Sequence, residues 1–438
     1  MPRKLVFLLL ILSLIAYLIT GYKLERQNFG LLITLYSALF AFYFILLQYK
    51  SHISLRTCIA AGLVFRLVLL FSLPALSDDY FRFLWDGRLQ QLGINPFDFT
   101  PAQLIKQSAD DYLQQLYAGL NSPDYFSVYP QLLQTIFRLA VEVAGNNIAG
   151  GVIVLKSAIF LFECGSIFLL IKLLKIKGLD QKNALIYILN PLVIIELTGN
   201  IHFEAIMIFF ILLTAYFLTN KQLAGIAGAL TMAIQAKLLP AIAIPLLIKN
   251  IGFKKTVAIG LACLLIFWIS SPFLWGGTER YLHFLSSLQL YYGKFEFNGS
   301  IYSILRGIGF WLAGFNMIQW ISKIMILFTL IAFLLVYRTQ TSFLRGLFWL
   351  MIVYLIFSAV VHPWYLAILV ALSSFTKYRF ALIWTALIPL TYITYSSLPY
   401  QQNYWLIALE YIIVFGYMAH ESSWLNNKVS PIIKHHSS

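Results

Sequence analysis

The chain has 438 residues, 60% hydrophobic and only 11% charged, with a formal net charge of +14. Soluble globular domains are typically about 25% charged, so this composition excludes an ordinary soluble enzyme. In a soluble protein the positive charge would suggest nucleic acid; here lysine and arginine in cytoplasmic loops account for it.

Apolar runs recur from end to end, each near the roughly 20 residues a helix needs to cross a bilayer. The fold class expected is therefore all-α, a polytopic membrane protein. The opening MPRKLVFLLLILSLIAYLIT has no small-residue cleavage site and a long apolar core, so it reads as an uncleaved first helix over about 5–20. Helices two and three fall at about 30–47 and 57–73. Arg3, Lys4, Lys50 and Arg56 place the N-terminus inside and the interval after helix three outside.

That interval, 74–147, holds seven of the eight aspartates; Asp180 is the exception. Its segment 129–145 carries Gln131, Gln134, Arg138 and Glu142, a pattern that suits an interfacial helix better than a spanning one. If it does not cross, the later basic clusters all fall inside: Lys172, Lys175, Lys177 and Lys182; Lys249, Lys254 and Lys255; Arg338 with Arg345; and Lys377 with Arg379. Further helices are expected at about 150–174, 183–197, 201–218, 223–236, 238–248 and 255–269. A second outer loop at about 271–314 precedes helices at about 317–337, 346–361, 364–375, 380–395 and 404–418, for about 12–14 crossings in all. Residues 421–438 read as a loose cytoplasmic tail. Cys58, Cys164 and Cys263 lie in apolar segments and read as core residues, with no disulfide framework or zinc site.

The stretch SDDYFRFLWDGRLQQLGINPF, 77–97, carries the chemistry. On a helix Asp78, Asp79, Arg82 and Asp86 share a face, being three, four and seven apart. Two adjacent carboxylates near a low-dielectric boundary push one pKa upward, which makes one of them a candidate general base. The bland alternative has equal standing: Asp78 caps the helix while Asp79 and Asp86 pair with Arg82 and Arg88 on a wet surface. Isolated polar groups mark the outer ends of later helices: Asn200, His202 and Glu204; Gln235 and Lys237; and His362. Ionisable groups at membrane depth cost about 2.5–3.5 kcal/mol on insertion scales and are functional candidates by default. Each histidine taken singly is more simply a satisfied helix-end group, but all of these fall on the side of Asp79. Arg280, His283, Lys294 and Arg306 in the second outer loop join them, and a cationic outer pocket suits a lipid phosphate. Arg66, mid-helix, is expected to pair with an acid such as Glu163.

The 77–97 stretch resembles the first outer loop of GT-C glycosyltransferases that use polyprenyl-phosphate sugars. The likeness is to the bacterial polyprenyl-phosphomannose-dependent mannosyltransferases and to the first mannosyltransferase of glycosylphosphatidylinositol assembly. Asp79 matches the second Asp of a D-x-D, with Tyr80, Asp86, Gly93, Pro96 and Phe97 in register; Ser77 stands at the first Asp position, which argues against metal chelation. VYPQL (128–132), GNIHFEA (199–205), AKLLP (236–240), FNGSIYSIL (297–305) and VHPWYL (361–366) extend the likeness over about 57–418. The resemblance implies a GT-C fold with a two-helix hairpin added at 1–56, a catalytic domain at 57–420 and the tail at 421–438. It implies a hexosyltransferase of the bacterial inner membrane with a periplasmic site. The enzyme would move mannose from a polyprenyl-phosphate donor to a lipid or glycan acceptor with inversion.

On that likeness Asp79 is the base, with Asp78 beside it. Lys237, Arg306, His362 and Arg280 hold the donor phosphate. Arg82, Asp86, His202, Glu204, Tyr129 and Asn298 bind substrate. No cofactor is assigned, and a divalent metal has no support from the motif. A transporter or lipid flippase for an anionic substrate is the rival. It would be expected to show paired repeats and ionisable groups at the bilayer midplane, whereas these candidates cluster at one side. Transfer of another sugar, or of a phosphate-linked pentose, stays open.

Overall fold

The computed structural model describes residues 3–275, 277–293 and 295–433. Helices α1 (Arg3–Tyr22) and α2 (Phe29–Gln48) form the N-terminal hairpin, and Asn28 caps α2 by accepting the Leu31 N–H at 3.1 Å. At 1.5 Å per residue a 20-residue helix is about 30 Å long, the thickness of a hydrocarbon core. Helix α3 (Leu55–Leu70) packs on α1 and brings Arg66 inward.

The interval expected as the outer loop contains α4 (Asp79–Gln91), α5 (Pro101–Leu104), α6 (Asp111–Ala118) and α7 (Gln131–Ala144). At 14 residues α7 is about 21 Å long, too short to span. Its Leu133, Phe137, Ala140 and Val141 pack inward while Leu139 and Val143 face out. Helix α4 lies close on α7 because Gly87 has no side chain: a Cβ there would come within 2.3 Å of the Phe137 carbonyl oxygen.

Helix α8 (Ile148–Ile176) carries Glu163, which accepts from Arg66 Nε at 2.8 Å with both side chains fully buried. The pair anticipated from sequence is therefore present. The stretch expected to give helices at 183–197 and 201–218 is broken instead. It forms α9 (Leu185–Ile188), α10 (Pro191–Val193), a π-helical turn at Ile194–Gly199 and then α11 (Glu204–Thr219), with 113° between the last two arms. Pro191 starts α10 where its missing N–H does no harm, the Asn190 side chain accepts from Val193 N at 3.2 Å, and Ile201 takes a positive φ of 60° at the bend.

Helix α12 (Leu223–Ala236) follows. Pro240 and Pro245 then turn the next apolar run into a 3-10 segment, Leu239–Leu247, before α13 (Ile248–Ile251) and α14 (Phe253–Ile269). The interval expected as a second outer loop is largely helical, as α15 (Thr278–Gly293) and α16 (Ser300–Ala313). The remainder comprises α17 (Ile318–Thr339), α18 (Phe343–Ile356), α19 (Ala367–Ser373), α20 (Phe380–Leu387) and α21 (Tyr404–Ile433). Helix α21 carries regular structure through most of the interval expected as a loose tail. Among the described residues there is no strand, only isolated bridges joining Phe297 and Asn298 to Val360.

This is an all-α polytopic membrane protein. Four helices, within α1, α2, α8 and α17, are each long and apolar enough to cross a membrane, and five if the bent pair counts as one span. Shorter apolar helices of 10–17 residues make up much of the rest. The unbroken spans are fewer than the crossings expected because proline and glycine divide several apolar runs. Contacts join the basic turns in pairs: Lys50 lies 3.1 Å from Asp180 and Lys182 Nζ donates to Ser51 O at 2.8 Å, while Lys249 Nζ donates to Arg338 O at 2.6 Å. The α1–α2 turn and the acid-rich interval meet at the opposite end of α2, through Arg26 and Asp78.

Candidate active site

The chain enters α4 through a fixed turn: Leu76 N donates to the Asn200 side chain at 2.9 Å, tying the start of the helix to the bent segment. Asp79 opens α4 half-buried, accepting from Asn121 Nδ2 at 2.8 Å. Burial pushes its carboxyl above the ordinary range; the Asn121 hydrogen bond pulls the other way, and the neighbouring Asp78 charge adds to the rise. Glu204, at the start of α11, is near enough to act on it electrostatically. Asp78 turns away to Arg26, whose Nη2 stands 2.6 Å from its Oδ2. The Arg26 guanidinium lies 4.7 Å from the centroid of the Tyr395 ring.

Opposite these acids sits Lys237, at the C-terminal cap of α12. Its ammonium pairs with Glu204 and lies 3.8 Å over the Tyr365 ring. Three rings stack beside it. Trp364 is covered on one side by His202, at 3.8 Å and 12°, and on the other by His362, at 4.3 Å and 5°. Phe297 continues the stack at 4.7 Å from His362. Both histidines are buried and within electrostatic reach of Lys237 or of each other. His202 Nδ1 meets the Glu196 carbonyl at 2.8 Å; His202 Nε2 and His362 Nδ1 have no partner among the described residues. A narrow cleft, with free room for about one water molecule, starts from Glu204 and Lys237. It is walled by Met207, Leu239, Met351, Leu355 and Ile368. Chemically the arrangement offers a carboxylate able to take a proton, a cation with the His362 imidazole able to hold an anion, and apolar walls leading away; His202, whose Nδ1–H donates to the Glu196 carbonyl, turns an acceptor nitrogen to the site.

Several expected participants are engaged in contacts of their own. Asp86 is fully buried and accepts from Arg82 Nε at 2.9 Å, Ser127 Oγ at 2.5 Å and Gln134 Nε2 at 2.9 Å; Arg82 also donates to Tyr125 O at 2.8 Å. These two pin α4 to the chain before α7 and offer no surface to a substrate. Of the wet-surface alternative only the Arg82–Asp86 pair is present, and it is buried; Arg88 pairs with Asp110, and Asp79 takes Asn121. Tyr129 packs edge-on against Phe83 and Phe137. Asn298 is a buried junction, its Nδ2 donating to Glu410 at 3.1 Å and its carbonyl accepting from Tyr411 at 2.7 Å. Arg280 forms a two-pronged pair with Asp98, at 2.5 and 2.9 Å, that joins the two outer intervals. Arg306 pairs with Glu296 at 2.9 Å. Each guanidinium is matched to a carboxylate, as Lys237 is to Glu204. Lys294 lies outside the described residues. His283 stacks on Phe126 at 3.8 Å and meets Phe97 O.

The structure thus brings Asp78, Asp79, His202, Glu204, Lys237 and His362 to one region. It adds Arg26, Asn121, Trp364, Tyr365 and Tyr395, which sequence reasoning did not single out. VHPWYL carried the signal for Trp364 and Tyr365. Among the described residues no group of three or more His, Cys, Asp or Glu side chains is placed to hold a metal ion.

Fold and site together define a polytopic helical membrane protein with a mixed acid–cation cleft at one face. Residues 14–252, more than half of the chain, match the family described as alpha-(1->6)-mannopyranosyltransferase, N-terminal domain, and the chain belongs to that family. The match begins inside α1 and so takes in most of the hairpin that the resemblance left out. The chain is also 28% identical over 183 residues to alpha-(1->6)-mannopyranosyltransferase A of Mycobacterium tuberculosis; the aligned part is 41% of this chain and 34% of that protein. The match thus spans about a third of the relative's length.

Proposed function

We propose that the protein transfers mannose from a polyprenyl-phosphate donor to a hydroxyl of a lipid or glycan acceptor. The transfer inverts the anomeric centre, at the periplasmic face of a bacterial inner membrane. The observation that carries this reading is the apolar cleft ending at Lys237. A hydrocarbon wall beside a cation suits the chain and the phosphate head of one molecule, and the carboxylate of Asp79 belongs to the same region. The relative's name specifies an alpha linkage; an inverting displacement that leaves an alpha linkage starts from a β-linked phosphate, so the donor is the β-mannosyl phosphate.

In the reaction Asp79 takes the proton of the acceptor hydroxyl as its oxygen bonds to the anomeric carbon. The bond from that carbon to the phosphate oxygen breaks, and the negative charge that collects on the leaving phosphate falls to Lys237 and His362. Donors fixed where charge develops contribute several kcal/mol. Glu204 holds the ammonium in place before the donor arrives.

Radiolabelled polyprenyl-phosphomannose, presented to membranes with matched amounts of wild type and Asp79→Asn, tests the reading. Label entering lipid or glycan with wild type should fall by about 10²–10⁴-fold in the variant. Equal labelling removes Asp79 as the base. Label moving only from a different sugar phosphate removes mannose.

A further inference from the structure

Arg26 lies in the hairpin turn, 52 residues before the carboxylate it meets. Asp78 stands at the N-cap of α4, where an aspartate ordinarily accepts from a backbone N–H of the first turn. Here its side chain makes no such bond and is turned to Arg26. The guanidinium is held on its other side by the Tyr395 ring. The pair is only partly covered, with side-chain exposures of 21% and 41%, so its bearing on overall stability is slight. Its bearing on Asp79 is different. A bare carboxylate on the adjacent residue raises the cost of ionising Asp79, and a cation bound to that carboxylate offsets part of the effect.

We propose that Arg26 is a positioning residue of the transfer reaction: by pairing with Asp78 it screens that charge from Asp79 and sets the pH range in which Asp79 accepts a proton. This rests on the assignment of Asp79 as base. The other groups facing these three residues are Ser77, Tyr80, Asn121, Glu204, Tyr395 and Tyr400. Glu204 carries its own cation, Lys237, which leaves Arg26 as the cation matched to Asp78.

The test is the acid limb of the pH–rate profile in full-length protein, together with the Asp79 carboxyl band in infrared difference spectra, identified by its loss in Asp79→Asn. Arg26→Gln should move both titrations up by roughly 0.5–1 pH unit. Asp78→Asn keeps a good capping residue and leaves an unmatched cation beside Asp79, so it should move both down. The double variant should return close to wild type, and Arg26→Lys should stay there. Single variants that shift in the same direction, or that lower the rate with no shift, make the pair a mere latch and overturn the proposal. If Arg26→Gln fails to insert, the direction of the Asp78→Asn shift still decides. Transfer retained by Asp79→Asn would overturn the base assignment and the proposal together; transfer lost there with a fixed carboxyl titration elsewhere overturns the role of Arg26 alone.

Discussion

Asp79 and Asp86 lie seven residues apart on one face of α4 and have opposite surroundings. Asp86 is sealed in with Arg82, Ser127 and Gln134. Removing one partner of a buried, hydrogen-bonded pair costs about 3–5 kcal/mol. Asp86→Ala should therefore lower stability by about that much, read as a fall in thermal midpoint in detergent, with activity lost in step with folded protein. Asp79→Asn should do the reverse. The folded-state pKa of Asp79 is raised, so its ionisation costs stability: the cost is absent below the unfolded value near 3.9 and complete above the folded one. Asparagine removes it, and the variant should be at least as stable as wild type at neutral pH while inactive. Lys237→Ala should raise the apparent KM for the donor by at least about tenfold, because a point charge on the phosphate is lost; an unchanged KM would free Lys237 from that role. The helical spacing of 78, 79, 82 and 86 was legible in the sequence, as was the Arg66–Glu163 pair. What faces each acid was not, because Ser127, Gln134 and Asn121 arrive from elsewhere in the chain.

Proline and glycine decide the shapes of the elements. Pro191, Pro240, Pro245 and Pro389 fall in apolar runs that read as helices by length, and each run is shortened or passes into 3-10 structure. The 113° bend before α11 is the consequential break, since it presents His202 and Glu204 at the start of a helix rather than along one. The motif GNIHFEA located this spot; the geometry of the bend depends on Ile201 and on Asn200 binding Leu76, which sequence pattern does not convey. Gly87 is the matching constraint between elements. Gly87→Ala would drive a methyl into the Phe137 carbonyl, and overpacking costs typically 1–3 kcal/mol. The expected result is reduced folded yield, with activity per folded molecule also reduced because α4 carries Asp79. Normal yield and rate would show that α4 and α7 can part freely.

Across the whole molecule, charged side chains join turns that are distant in the chain. Lys50 and Lys182 meet at one end of α2 and Arg26 and Asp78 at the other, while Lys249 meets the Arg338 turn in a contact of its own. The convergence of His202, Trp364 and His362 into one stack joins residues about 160 apart and had no sequence signature beyond two short motifs. Glu196 shows what such distances mean while the protein is being made. Its buried carboxylate accepts from Tyr36 at 2.8 Å, 160 residues upstream, and from Tyr392 at 2.8 Å, 196 residues downstream. Because the chain leaves the ribosome N-terminus first, this acid enters the bilayer with one hydroxyl already in place and the other not yet made. The hairpin is thus an escort as well as a wall, and the nascent protein stays unfinished at this point until its penultimate helical segment is translated.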